Sequence, residues 1–222
     1  MWILIALPLT LVLLALVNCY LQKDLILSKN NLRDKFAAFM PKKTIYLLFL
    51  LGVFMAGIAV FGAQYRYFSD YIKAAKLTVL ILLLAPVAYI DLKSRIIPDK
   101  VLLVALFLRI VFYLLEIFVG STEITEILVS DLKGVLLGSG VFMLGALIAK
   151  DSIGIGDIKM YGIIGLFVSY SGTSASMILS LLMCSFVSII LLAFKKKDRK
   201  DTLPLAPFSL AGTFIAILIG SC

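Results

Sequence analysis

The stretch Leu77-Thr78-Val79-Leu80-Ile81-Leu82-Leu83-Leu84-Ala85-Pro86-Val87-Ala88-Tyr89-Ile90 holds no charged side chain, and the acid Asp91 ends it. Apolar text of this kind has no polar face to turn to water, so the segment belongs inside a core or a bilayer. The rest of the chain decides between the two. Of its 222 residues, 62% are hydrophobic and only 15% charged, and the mean hydropathy is +1.11. Soluble domains carry roughly 45–50% apolar and about 25% charged residues. The surplus apolar surface must therefore face lipid.

About twenty apolar residues cross the hydrocarbon, and on that measure spans fall at approximately 2–21, 44–63, 77–90, 101–119, 134–149, 160–170, 174–194 and 205–221. The expectation is an all-α integral membrane protein, a polytopic bundle of about eight transmembrane helices forming one domain over 1–222. Spans 77–90 and 160–170 are short, and both can continue helically through the adjoining acids Asp91 and Asp157. Segment 2–21 lacks the basic start of a signal peptide and is long for its apolar region, so it is read as a retained helix. Gly134 and Gly138 form a G-x-x-x-G step, with Gly140 and Gly145 beyond it, which suits close helix packing.

The net charge of +8 comes from 21 Lys and Arg against 13 Asp and Glu. The basic residues lie in short runs between spans, as expected for loops held on the cytoplasmic side, and no nucleic-acid partner is implied. Placing 22–43 inside puts 91–100, 150–159 and 195–204 there too. That face then carries sixteen Lys and Arg against four on the other, with Arg109 left within a span. Both termini are expected outside, and Lys195-Lys196-Lys197-Asp198-Arg199-Lys200 reads as an anchor against anionic headgroups.

There is no histidine, and Cys19, Cys184 and Cys222 are far apart. This removes Ser-His-Asp and Cys-His catalysis and the usual ligands of a metal site, so neither a metal nor a cofactor is expected. Hydrolytic chemistry is left to carboxylates, lysines and hydroxyls. Two acidic motifs fall on the same inner face: Tyr89-Ile90-Asp91-Leu92-Lys93-Ser94-Arg95-Ile96-Ile97-Pro98-Asp99, and Gly154-Ile155-Gly156-Asp157-Ile158-Lys159. Ionisable groups at the edge of hydrocarbon are expensive and normally mark a site. Two adjacent carboxylates do not readily ionise together, so one keeps a proton while the other can activate water. Which of Asp91 and Asp157 is protonated first is open. Gly154 and Gly156 would let a substrate backbone approach closely; the plainer alternative is a turn before a helix that Asp157 caps. Pro98 fits an early helical position, where its missing N–H costs little. Lys159 reads equally as electrostatic support for the pair or as an inside-positive charge. Lys93 and Arg95 read as inside-positive charges.

The wording D-L-K-S-R-I-I-P-D from Asp91 to Asp99 resembles the first aspartate motif of the bacterial type IV prepilin peptidases. G-I-G-D-I-K from Gly154 to Lys159 is similar to their second, and Leu203-Pro204-Leu205-Ala206-Pro207-Phe208 to the Pro-rich entry of their last helix. The resemblance covers roughly 77–221. It implies Asp91 and Asp157 as catalytic aspartates, and type IV prepilins or prepilin-like proteins as substrates cut at the inner membrane face; Gly154, Gly156, Lys159 and Pro98 are read beside them, from their own chemistry, as supporting positions. Larger members carry a cytoplasmic methyltransferase region with paired cysteines between the first two helices. Here that loop has about twenty residues and no Cys, so N-methyltransferase activity is not expected. The alternatives are a small proton- or cation-coupled transporter using the same aspartates, or a non-enzymatic assembly scaffold. Arg109 and Glu116 are read as a buried pair with further partners, with Glu116 reaching toward the outer face.

Overall fold

A computed structural model describes residues 3–22, 44–119, 124–148, 154–194 and 203–221. Among these the chain is all helical. Its helices are α1 (Ile3–Leu21), α2 (Thr44–Phe68), α3 (Tyr71–Ser94), α4 (Asp99–Phe118), α5 (Ile124–Ile148), α6 (Ile155–Ala193) and α7 (Ala206–Leu218). The first six are long and apolar enough to cross a membrane, and α7 is shorter. The protein is a polytopic membrane bundle. The loop 23–43 and the basic tract 195–200, on which the expected topology rests, lie outside the described residues.

The chain divides into two compact units, Met1–Pro86 and Val87–Cys222. In the first, α1 packs on α2, and Ala6, Phe61 and Ala74 form a core flanked by Leu9, Tyr65, Tyr71 and Ala75. The Tyr46 hydroxyl of α2 donates to Asn18 Oδ1 of α1 at 2.8 Å, so a polar pair is satisfied between the helices rather than left in hydrocarbon.

In the second unit, segments 160–170 and 174–194 are two helical arms of one continuous element, α6, separated only at Ser169 (φ 59, ψ −167). The chain reverses there. A Cβ on Gly138 of α5 would lie 2.6 Å from the Tyr161 carbonyl oxygen and 3.2 Å from Thr173 Cγ2, although twelve residues of straight helix would separate those two by about 18 Å. The two arms of α6 therefore run back along each other. Positive φ is costly for a residue with a Cβ, about 1–3 kcal/mol, and here the surroundings hold it. Ser169 Oγ donates to Asp131 Oδ1 at 2.5 Å, and Thr173 Oγ1 donates to the Ser169 carbonyl.

Asp131 belongs to a buried polar cluster at this reversal. Arg109 of α4 is fully buried; its Nε donates to the Leu166 carbonyl at 2.8 Å, and its Nη1 donates to both Glu116 oxygens at 3.1 and 3.2 Å. Nη2 meets Asp131 Oδ2 at 2.5 Å, and the Tyr113 hydroxyl donates to the same oxygen at 2.7 Å. Glu116 does not reach outward as expected. It is only 7% exposed, because the guanidinium two turns earlier offers it two hydrogen bonds that lipid cannot. Helix α5 starts at Ile124 rather than 134 and so carries Asp131 and Lys133 within it. The glycine step packs as expected: a Cβ on Gly134 would lie 2.7 Å from the Gly165 carbonyl oxygen of the first arm.

Candidate active site

Four helix ends meet at one end of the second unit. Helix α3 stops at Ser94 because Arg95 turns left-handed (φ 54), its N–H returning to the Asp91 carbonyl at 2.8 Å, which is how a helix closes its last turn. Proline restricts the preceding Ile97 to extended backbone, and Pro98 itself, at φ −75 and ψ 110, is the N-cap of α4. Gly154 caps α6 without a side-chain hydrogen bond, so the backbone, not Asp157, makes this cap; the Asp157 N–H donates to the Gly154 carbonyl at 3.0 Å. Pro207 sits in the first turn of α7, where its missing N–H would have had no partner.

Between them lies a cavity of about 530 Å³ lined by Asp91, Arg95, Ile96, Ile97, Asp99, Gly154 to Asp157, Lys159 and Leu203 to Leu205. Asp91 and Asp157 thus share one cavity. Asp91 is only 5% exposed, while Asp157 is half-buried. Each lies within one turn of a helix end. The ends of α4, α6 and α7 turned toward the cavity are N-termini, whose free N–H groups complement negative charge. One such contact is made: the Ala206 N–H of α7 donates to Asp91 Oδ2 at 2.9 Å.

The glycines of the second motif have distinct neighbours. A Cβ on Gly154 would lie 3.2 Å from Asp157 Oδ2, and one on Gly156 would lie 2.9 Å from Ile97 Cβ. Gly156 is therefore where the loop after α3 rests on the first turn of α6. Lys159 Nζ pairs with Asp99 Oδ1 at 2.9 Å, both side chains more than half exposed. It spans the cavity wall between the two motifs instead of meeting either buried carboxylate. Pro98 does not line the cavity; it shapes the loop that does.

Gly156→Ala is expected to lower turnover by about ten- to a hundredfold, since Ile97 Cβ is close to the main chain and cannot rotate away, so the loop carrying Arg95 must shift. Gly154→Ala needs only a few tenths of an ångström from a carboxylate and should cost less. Initial rates at matched membrane abundance check the order. A larger effect of Gly154→Ala would contradict this geometry.

Two groups at the site are not assigned to it by the sequence. The Ala206 N–H is a backbone group, visible in sequence only through the Pro-rich stretch around it. Arg95 reads as an inside-positive charge but lines the cavity.

A family model described as the type IV leader peptidase family matches residues 77–193, which include both aspartate motifs. The prepilin leader peptidase/N-methyltransferase of Aeromonas hydrophila is 26% identical over 138 residues, 62% of this chain and 47% of that protein. The protein of the same description from Bacillus subtilis (strain 168) is 26% identical over 164 residues, 72% of this chain and 62% of that protein. The chain thus spans about half to three-fifths of the length of these relatives. No solved structure matches it significantly. These matches lie with peptidases and lend nothing to the transporter alternative.

Proposed function

We infer that this chain, which belongs to the type IV leader peptidase family, is a membrane aspartic endopeptidase that removes the leader from type IV prepilins or prepilin-like proteins. The observation carrying this reading is that Asp91 and Asp157, from separate helices, line one cavity at a single end of the unit. No soluble cofactor is called for. The substrate proteins and the lipid bilayer are its partners. The inside-positive distribution of Lys and Arg supports a position for that cavity at the cytoplasmic face of a bacterial plasma membrane.

The chemistry follows from the hydrogen bonds. A backbone N–H can only donate, so Asp91 Oδ2 accepts from Ala206, which favours Oδ1 as the oxygen to carry a proton. With one carboxyl protonated and the other not, the ionised group takes a proton from water as its oxygen attacks the scissile carbonyl. The protonated group delivers its proton to the departing amide nitrogen, the C–N bond breaks, and the two acids have exchanged states. Arg95 and the Lys159–Asp99 pair stand at the cavity wall. Methylation of the new amino terminus is not part of the proposal, since the short 22–43 loop has no Cys.

Coexpression with a type IV prepilin tests the reading. Leader removal should appear as a mobility shift on a gel, with the new amino terminus identified by sequencing. Uncut prepilin, beside a correctly inserted and abundant protein, would sink it for that substrate class.

A further inference from the structure

Tyr161 lies one turn after Asp157 on the first arm of α6, and it is fully buried. It stacks on Phe142 of α5 at 4.3 Å between ring centroids. Its hydroxyl does not face lipid or the cavity: Ser209 Oγ of α7 meets it at 3.0 Å, and Ser180 of the second arm is also bonded to it. Ser209 in turn lies one turn after Ala206, whose N–H holds Asp91. The contacts therefore close a ring from Asp157 along one helical turn to Tyr161, across to Ser209, back along one turn to Ala206, and across to Asp91. The Tyr161–Ser209 hydrogen bond thus ties the arm carrying Asp157 to the helix end that holds Asp91.

We propose that the Tyr161–Ser209 hydrogen bond is a positioning contact that sets the separation of the two aspartates, so that the hydroxyls act on the reaction without touching substrate. This rests on the peptidase reading above. A buried hydroxyl in such a bundle needs a partner, but the choice of partner is informative. Ser209 Oγ already has the Leu205 carbonyl at 3.2 Å, and Ser180 Oγ has the Ser176 carbonyl at 2.6 Å. Both serines are satisfied within their own helices, so the tyrosine oxygen is not required to rescue either. Its loss leaves no orphaned serine and frees the helices to shift by the small distance that matters at a reacting pair.

The test is steady-state cleavage of a prepilin in detergent or proteoliposomes by Tyr161→Phe, Ser209→Ala, Ser209→Thr and the double variant Tyr161→Phe/Ser209→Ala. Tyr161→Phe keeps the ring stack on Phe142. The expected result is a fall in kcat of about ten- to a hundredfold with KM unchanged, the same fall for Ser209→Ala, and no further fall in the double variant. Ser209→Thr, which keeps a hydroxyl, should recover most of the rate. Wild-type kcat in Tyr161→Phe and Ser209→Ala, or losses that simply add, would overturn the proposal, as would a change confined to KM. Asp157→Asn is run alongside. If it is inactive while Tyr161→Phe is unimpaired, only the positioning role falls; if Asp157→Asn cleaves normally, the aspartyl mechanism falls and this inference with it.

Discussion

Asp91→Asn and Asp157→Asn are each expected to remove detectable prepilin cleavage while leaving the protein inserted at normal abundance. Asn keeps the shape and the acceptor oxygen of Asp, so the Ala206 N–H can still be met at position 91, but it cannot take a proton from water or deliver one to an amine. Loss of general acid–base catalysis alone costs about 10²–10⁴-fold, enough to leave substrate uncut over an ordinary assay. Asp99→Asn is the control. Its carboxylate pairs with Lys159 in the open, where such pairs contribute only about 0–1 kcal/mol, so cleavage should stay within about fivefold of wild type. Near wild-type cleavage by either of the first two variants would rule out the two-aspartate mechanism.

The largest expected loss of stability lies away from the cavity, at Asp131→Ala. The substitution strips Arg109, Tyr113 and Ser169 of a shared acceptor at once. Arg109 would keep Glu116 and the Leu166 carbonyl, but breaking a buried ionic network by removing one member costs about 3–5 kcal/mol. It would also release the anchor that holds the left-handed turn at Ser169. Membrane abundance should drop severalfold, and the resistance of the purified protein to denaturant should fall. Asp131→Asn, which keeps a carbonyl acceptor, should lie between wild type and Asp131→Ala. Equal stability of all three would mean that Glu116 alone suffices for Arg109.

The aspartate motifs were legible because a charge in apolar text has few reasons to be there, and Asp91 and Asp157 each close or open a long uncharged run. The extension of both helices through these acids was readable for the same reason. The division of 160–170 from 174–194 was legible, but not its exact place: the reversal occurs at Ser169, where an unfavourable backbone angle is held by an acid on another helix. A single-chain pattern does not carry that partnership. The buried Arg109–Glu116 pair was legible from its seven-residue spacing, and only the outward reach given to Glu116 was not met, because Arg109 supplies its hydrogen bonds from within. Ala206 was out of reach in principle, since what it contributes is an amide that every residue but proline possesses.

The reversal at Ser169 also has a meaning for the lipid around it. The first arm of α6 runs only from Ile155 to Val168, a rise of roughly 21 Å at 1.5 Å per residue, against about 30 Å of hydrocarbon. A first arm that turns back so early is too short to match an undisturbed bilayer. Together with the ionic cluster seated at its turn, it calls for acyl chains that are compressed or splayed beside it, or for neighbouring helices that shield it from them. A bilayer thinned in this way would bring the aqueous phase nearer to the aspartates than an undisturbed one. The water that the proposed hydrolysis consumes would then have a shorter path to the peptide bond.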